Sequence, residues 1–289
     1  MNILTCSQAL AAAQTLGLER LDAQLLLLHA LGKPASARAW LLAHDTDTLP
    51  DEVEQHFRQL SLRRAAGEPL AYIVGSKEFF GLHLSVDARV LVPRPDTETL
   101  VEWALQCLTE ADMPSSAQVL DLGTGSGAIA LALKKSLPAM EVTAIDVSPD
   151  ALAVARSNAL QHRLPVHFIE GSWFENVSGP FHLIASNPPY VADADPHLFA
   201  LTHEPLQALA AGPDGLSAIR RIIEQAPAYL HRQGWLLLEH GYDQADFVCG
   251  LLREKGFTEV QSRADLAGIT RCSGGRWPGR AGSAKQTAG

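Results

Sequence analysis

The chain has 289 residues, of which 47% are apolar and 19% charged. That composition gives ample length for one large domain and a small one, and it excludes a disordered chain. Lys and Arg number 23 against 32 Asp and Glu, a net charge of −9, which argues against a broad, sequence-independent grip on duplex nucleic acid but leaves room for a local basic patch.

The first stretch reads as helices. Thr5-Cys6-Ser7-Gln8 has the spacing of a capping box, and Gly17 is a helix stop. Leu21, Leu25 and Leu28 share one face of a second helix closed by Gly32. Val53, Phe57 and Leu60 repeat the pattern after Thr48-Leu49-Pro50, and Gly67 closes that helix. Residues 1–74 are therefore expected to form a small helical bundle. No Lys or Arg precedes Arg20, so the charged start expected of a secretory signal is lacking, and the run Leu25–Leu28 is far too short to span a bilayer. Cys6, Cys107, Cys249 and Cys272 are scattered without paired spacing, as expected of reduced thiols in the cytoplasm rather than of a disulfide framework or a zinc site.

Phe79 to Val86 predicts a strand or hairpin, and residues 75–92 are expected to link two domains. Pro93-Arg94-Pro95 breaks the chain before a helix over 97–108. From Val119 strands and helices alternate. Strands are predicted at 118–122, 141–146, 166–170, 181–186 and 234–239, with helices such as 149–161 and 215–231 between them. This alternation predicts an α/β domain over 93–278, a parallel sheet with helices on both faces. Two strand-like pieces, 257–263 and 269–276, form a closing hairpin, and the Gly-, Ala- and Ser-rich tail 279–289 is expected to be disordered.

Two motifs carry chemistry. The first is Val119-Leu120-Asp121-Leu122-Gly123-Thr124-Gly125-Ser126-Gly127, a strand that ends in a glycine loop opening a helix. Glycines allow positive φ and close approach of backbone to a ligand, and the helix N-terminus offers free N–H groups to an anion. Gly123, Gly125 and Ala128 also satisfy a dinucleotide fingerprint, so this loop alone fits a methyltransferase or a dehydrogenase. Asp121, Gly123, Thr124, Gly125 and Gly127 are the candidate cofactor residues here. Asp146 ends the next strand, where a carboxylate can accept from both hydroxyls of a ribose. Capping of the following helix falls to Ser148 and Asp150 instead.

The second motif, Asn187-Pro188-Pro189-Tyr190, follows the apolar run Phe181–Ser186. An amide or aryl amine nitrogen is a poor nucleophile because its lone pair is delocalised. The remedy is to accept both of its N–H groups and aim the lone pair. The Asn187 side-chain oxygen and the Pro188 carbonyl are acceptors at any physiological pH. The prolines stiffen the loop, and Tyr190 offers an aromatic face to a planar group. The pair of motifs points to methyl transfer from S-adenosylmethionine (AdoMet) to an amide or exocyclic amine, with Asn187, Pro188 and Tyr190 at the reacting nitrogen and Pro189 in the substrate site.

With these motifs the chain resembles the HemK/PrmC family, AdoMet-dependent methyltransferases that modify the glutamine of the Gly-Gly-Gln motif in peptide-chain release factors. The likeness runs over about residues 5–277. It is carried by Glu68–Gly75, Phe79–Leu82, Val90–Glu98, the glycine loop, Asn187–Tyr190 and His203–Leu206. The resemblance implies a small helical domain joined by a hairpin to a seven-stranded methyltransferase fold, with release factors as partners. It implies that Gly123 and Asp146 lie on AdoMet, that Asn187 is shared between cofactor and substrate, and that Trp173 packs near the adenine. Ser172 stands where the family often has Asp. An adenine-N6 methyltransferase poses the same chemical problem to the same loop, but the net charge of −9 weighs against it. A non-catalytic AdoMet-binding adaptor would not need the intact Asn-Pro-Pro-Tyr loop. Neither stable nucleic-acid binding nor a membrane is expected. Arg94 could pair with a carboxylate or line the mouth of the site, and Glu98 could do no more than favour a helix N-terminus. Glu239-His240 looks like an acid/base pair, yet amide methylation needs no proton relay before the methyl moves, so a structural role is expected.

Overall fold

The computed structural model describes residues 4–279, apart from the side chains of residues 197, 199 and 200. The chain forms two compact units, Met1–Ser76 and Lys77–Gly289. The tail beyond Gly279 lies outside the described residues.

The first unit is helical: α1 (Cys6–Thr15), α2 (Arg20–Ala30), α3 (Arg38–Ala43), α4 (Asp51–Ala65) and α5 (Leu70–Val74). The capping box forms, with Gln8 N donating to Thr5 Oγ1 and Thr5 N to Gln8 Oε1. The apolar face of α2 differs from the one read in the sequence. Leu21 is 46% exposed, whereas Ala23, Leu26, Leu27 and Leu28 are buried. The cause is that α2 packs against α1, α3, α4 and α5 at once. A central helix buries most of its circumference, so a single stripe misjudges it.

The second unit opens on the hairpin β1 (Ser76–Phe79) and β2 (Leu82–Ser85), then α6 (Thr97–Leu108). Alternation follows: β3 (Gln118–Leu122), α7 (Ala128–Ser136), β4 (Glu141–Asp146), α8 (Pro149–His162), β5 (His167–Glu170), β6 (Phe181–Ser186), α9 (Ser217–Gln225), β7 (Leu230–Glu239), α10 (Ala245–Lys255), β8 (Thr258–Ala264) and β9 (Thr270–Arg276). The helix read over 215–231 is shorter than expected. Pro227 interrupts it, a 3₁₀ turn follows, and β7 starts at Leu230.

The seven strands lie in the order β5-β4-β3-β6-β7-β9-β8, with β9 antiparallel to both of its neighbours. Side chains alternate across this sheet. Val119, Leu183 and Leu237 face a core with α6 and α7, while Leu120, Ile184 and Leu236 face one with α9 and α10. The hairpin is built into the first of these cores through Phe79, Leu82 and Leu84. Asn158 of α8 secures it further, its Oδ1 accepting from Ser85 N and its Nδ2 donating to Ser85 O. From β3 the chain winds outward through β4 to β5, then returns to place β6 on the other side of β3. The carboxyl ends of β3 and β6 thus flank a topological switch point, where open α/β sheets bind ligands.

Gly274 in β9 shows how tightly this sheet packs. A Cβ there would lie 2.6 Å from Leu236 O, 2.6 Å from Leu237 Cδ2 and 3.0 Å from Trp103 Cη2. Gly274→Ala is expected to destabilise the protein by about 1–3 kcal/mol, through overpacking against backbone that cannot yield. Denaturant unfolding checks this; an unchanged midpoint would show that the strands can separate.

Candidate active site

The glycine loop starts where β3 ends. Gly123, Gly125 and Gly127 have φ of +70°, +55° and +85°, values that L side chains rarely tolerate. Gly123 N and Thr124 N both donate to Ile145 O at 2.9 Å. The Asp146 carboxylate then binds two backbone amides: Oδ2 accepts from Gly125 N at 2.8 Å and Oδ1 from Ser148 N at 2.9 Å. Ser148 caps α8 through its own hydroxyl to Ala151 N, so Asp146 is not needed as the cap. It is half-buried, and that burial raises its carboxyl above the ordinary range.

A cavity opens over this loop. Gly123, Gly125, Asp146, Ser172, Trp173 and Asn187 line it, together with Pro189. Residues 89–91 and Pro205, Gln207 and Ala208 add to its walls. Trp173 has φ +57°, an uncommon conformation for a bulky residue and one that tends to mark functional sites. Its ring reaches over Gly123, where a Cβ would meet Trp173 Cζ3 at 3.9 Å. A Cβ on Gly125 would project into open space.

Three of the loop residues do not line the cavity. Asp121 is fully buried beneath the loop, where Oδ2 accepts from Thr124 Oγ1 at 2.7 Å and from Ala130 N at 3.2 Å. Burial pushes its carboxyl up to about 7. Asp121 and Thr124 thus hold the loop from below. Gly127 is there for packing, since a Cβ would lie 3.1 Å from Leu131 Cδ1 and 3.3 Å from Ala155 Cβ.

From the loop after β6, Asn187 and Pro189 reach the same cavity, whereas Pro188 is buried and does not line it. Ser186 Oγ donates to Leu122 O at 2.7 Å and locks the strand end. Asn187 Nδ2 donates to Thr97 Oγ1 at 3.2 Å. Among the described residues nothing donates to Asn187 Oδ1 or to the Pro188 carbonyl. Tyr190 lies off the cavity. Its hydroxyl donates to Glu239 Oε1 at 3.4 Å, and its carbonyl accepts from Gln244 Nε2 at 3.1 Å. Gly215 admits that carbonyl, because a Cβ there would come within 2.3 Å of it.

Glu204, which the sequence showed only within a stretch carrying the family likeness, is a support. Its side chain is 2% exposed, pairs with Arg94 and accepts from Val92 N at 3.0 Å. It therefore ties the segment leading from the 89–91 wall to the 205–208 wall. Glu98 does more than favour its helix: its Oε1 accepts from Phe80 N at 3.0 Å. Glu239 and His240 do not pair. The His240 ring bonds Ser273 Oγ at 2.7 Å and Gly241 O at 2.8 Å.

The cavity fits AdoMet. A side-chain-free backbone and the Asp146 carboxylate face it, and a flat indole leans over Gly123. A model for the methyltransferase small domain matches residues 102–243, and one for the PrmC N-terminal domain matches residues 3–75. The fold and the site define an AdoMet-dependent methyltransferase. A Bordetella pertussis protein named release factor glutamine methyltransferase is 49% identical over 263 residues, covering 90% of this chain and 95% of its own. A protein of the same name from Xylella fastidiosa is 47% identical over 275 residues, covering 94% and 98%. The chain belongs to the release factor glutamine methyltransferase family. A solved methyltransferase from Pyrococcus furiosus, 20% identical with a TM-score of 0.51 over 69% of this chain and 90% of that one, shares the fold.

Proposed function

We propose that this enzyme methylates the side-chain amide nitrogen of the glutamine in the Gly-Gly-Gln motif of peptide-chain release factors. Two unengaged acceptors, Asn187 Oδ1 and the Pro188 carbonyl, carry the reading: they sit on a proline-stiffened loop beside the cofactor cavity. Bound AdoMet supplies a methyl carbon activated by its sulfonium. Asn187 and Pro188 take the two amide N–H groups and aim the nitrogen lone pair. Such preorganised acceptors cost little reorganisation as the bond forms. Pro189 completes the cavity wall, and Tyr190, packed against the core outside the cavity, anchors the loop rather than offering its face to the amide. Gly123, Gly125, Asp146 and Trp173 hold the cofactor directly, while Asp121, Thr124 and Gly127 shape the loop under it.

The helical residues 1–74 recognise the release factor, 75–92 connect, and 93–278 hold AdoMet. A cytoplasmic setting suits its four reduced, buried cysteines. Stable nucleic-acid binding forms no part of this function. The test offers radiolabelled AdoMet with an intact release factor, the same factor carrying Gly-Gly-Ala, and adenine-rich DNA. Label is expected on the intact factor alone. Label on DNA alone would move the assignment to adenine chemistry.

A further inference from the structure

The Asn187–Tyr190 loop is held at both ends. At its start the Ser186 hydroxyl ties it to β3. At its end Gln244 grips the Tyr190 carbonyl: Nε2 donates to Tyr190 O at 3.1 Å and to Asp214 O at 3.5 Å. Gln244 is the residue before α10 and is 9% exposed. Its side-chain amide has one orientation only. Oε1 accepts from Gly241 N at 2.9 Å, and a backbone N–H can only donate. Nε2 meets two backbone carbonyls, which can only accept. Gly241 O also takes Gln244 N at 3.1 Å, so the residue is fixed twice to the turn that follows β7. Gly215 makes room for the contact. Its φ is +71°, and a Cβ there would lie 2.3 Å from Tyr190 O and 2.8 Å from Gln244 Nε2.

We propose that Gln244 is a positioning residue for methyl transfer, which holds the Tyr190 carbonyl and so sets how the loop presents Asn187 and Pro188 to the substrate amide. Peptide units are planar, so the loop can move only through its φ and ψ angles. The rings of Pro188 and Pro189 fix φ at both residues. The torsions left between the Pro188 and Tyr190 carbonyls are ψ of Pro189 and the pair at Tyr190. Tyr190 is anchored at its hydroxyl by Glu239 and at its carbonyl by Gln244. Without the Gln244 donor, the peptide plane after Tyr190 can turn, and the turn passes back through a stiff segment to the acceptors. Gln244 does not line the cavity. Its loss should therefore appear in the rate of transfer and not in AdoMet affinity.

Gln244→Glu isolates the donor. It keeps the length of the side chain and an oxygen for Gly241 N. Once ionised, the introduced carboxylate can only accept, and it sets a negative oxygen against the two carbonyls. Once protonated, it regains a donor for Tyr190 O. The variant should therefore lose turnover at high pH and recover it as pH falls. The ionisable residues on the segments around Gln244 are Tyr190 in the loop, Asp214 with its partner Arg220, Glu239 and His240 at the end of β7, Arg271 on β9, and Asp243 and Asp246 beside Gln244 itself. All are common to variant and wild type. The ratio of the two kcat values at each pH removes the titrations they share.

This rests on the reading of Asn187–Tyr190 as the substrate loop, so the experiment separates the two. On the full-length enzyme, kcat and KM for a release factor are followed against pH at saturating AdoMet, beside AdoMet Kd and the denaturant midpoint. Gln244→Glu is expected to turn over about 100-fold more slowly than wild type at high pH, the cost of a loop displaced by about 1 Å, and the ratio should climb on acidification. Gln244→Met removes both polar atoms without adding charge. It should lower kcat and kcat/KM equally, by about tenfold at every pH, with AdoMet Kd unchanged. It also decides the matter should Gln244→Glu not fold. A purely structural role would lower the midpoint and leave the ratio flat with pH. A flat ratio, wild-type kcat in Gln244→Met, or a loss that follows AdoMet Kd overturns the proposal. If Asn187→Ala abolishes turnover in the same assay, the substrate-loop reading survives that failure; if Asn187→Ala turns over normally, that reading itself falls.

Discussion

Asn187→Ala is expected to lower the rate of methyl transfer by about 10³-fold while AdoMet still binds within a few-fold of the wild-type Kd. Asn187 stands at the wall of the cavity, yet its only hydrogen bond within the described residues goes away from it, to Thr97. An alanine removes an acceptor that a planar amide N–H needs and leaves the glycine loop, Asp146 and Trp173 untouched. The loss should fall on kcat more than on cofactor affinity, because the acceptor matters most as the nitrogen commits its lone pair. Single-turnover methylation of a release factor, read beside AdoMet titration, separates the two. Wild-type turnover in this variant would remove Asn187 from the chemistry. A comparable loss of AdoMet affinity would make it a cofactor residue first.

The sequence made the sheet legible because its strands are short apolar runs closed by Gly, Pro or Asp. Val119–Leu122 and Phe181–Ser186 are read from such patterns, and both strands form there. The start of β7 at Leu230 was not legible: Arg232, Gln233 and Gly234 carry no strand signal, and register against β6 decides it. The stripe on α2 failed for a related reason, since packing on several sides leaves no polar face to mark it.

At the site, residues whose type is matched to a ligand were legible from spacing: Gly123, Gly125, Asp146 and Asn187 all reach one cavity. What spacing could not show is which loop residues face the ligand and which face the core. Asp121 reads like Asp146, each an acid ending a strand, but one lies under the loop and the other beside the cavity. Thr97, Glu204 and Glu239 were visible only as parts of motifs. Their roles depend on partners about 90, 110 and 50 residues away in the chain, which no local pattern encodes.

Asp146→Ala is expected to weaken AdoMet binding by about 100-fold, the equivalent of about 2.7 kcal/mol. Two hydroxyls donating to one carboxylate are worth that much, since a hydrogen bond to a charged acceptor contributes about 1.5–3 kcal/mol. The variant also frees Gly125 N and Ser148 N, so the glycine loop loses its tie to the end of β4. Both effects act on the cofactor, so saturating AdoMet should recover most of kcat, in contrast to Asn187→Ala. The pH dependence has a definite sign. Burial raises the Asp146 carboxyl, and ribose hydroxyls favour its ionised form. Affinity is therefore complete above the raised value and falls as pH drops through it, by about tenfold per unit at the limit. Asp146→Asn, which cannot titrate, should bind more weakly at neutral pH but lose this dependence. Calorimetric titration of AdoMet across pH in the three proteins tests the assignment. Wild-type affinity in Asp146→Ala would place the ribose elsewhere and leave the Asp146 carboxylate as a tie between two loops.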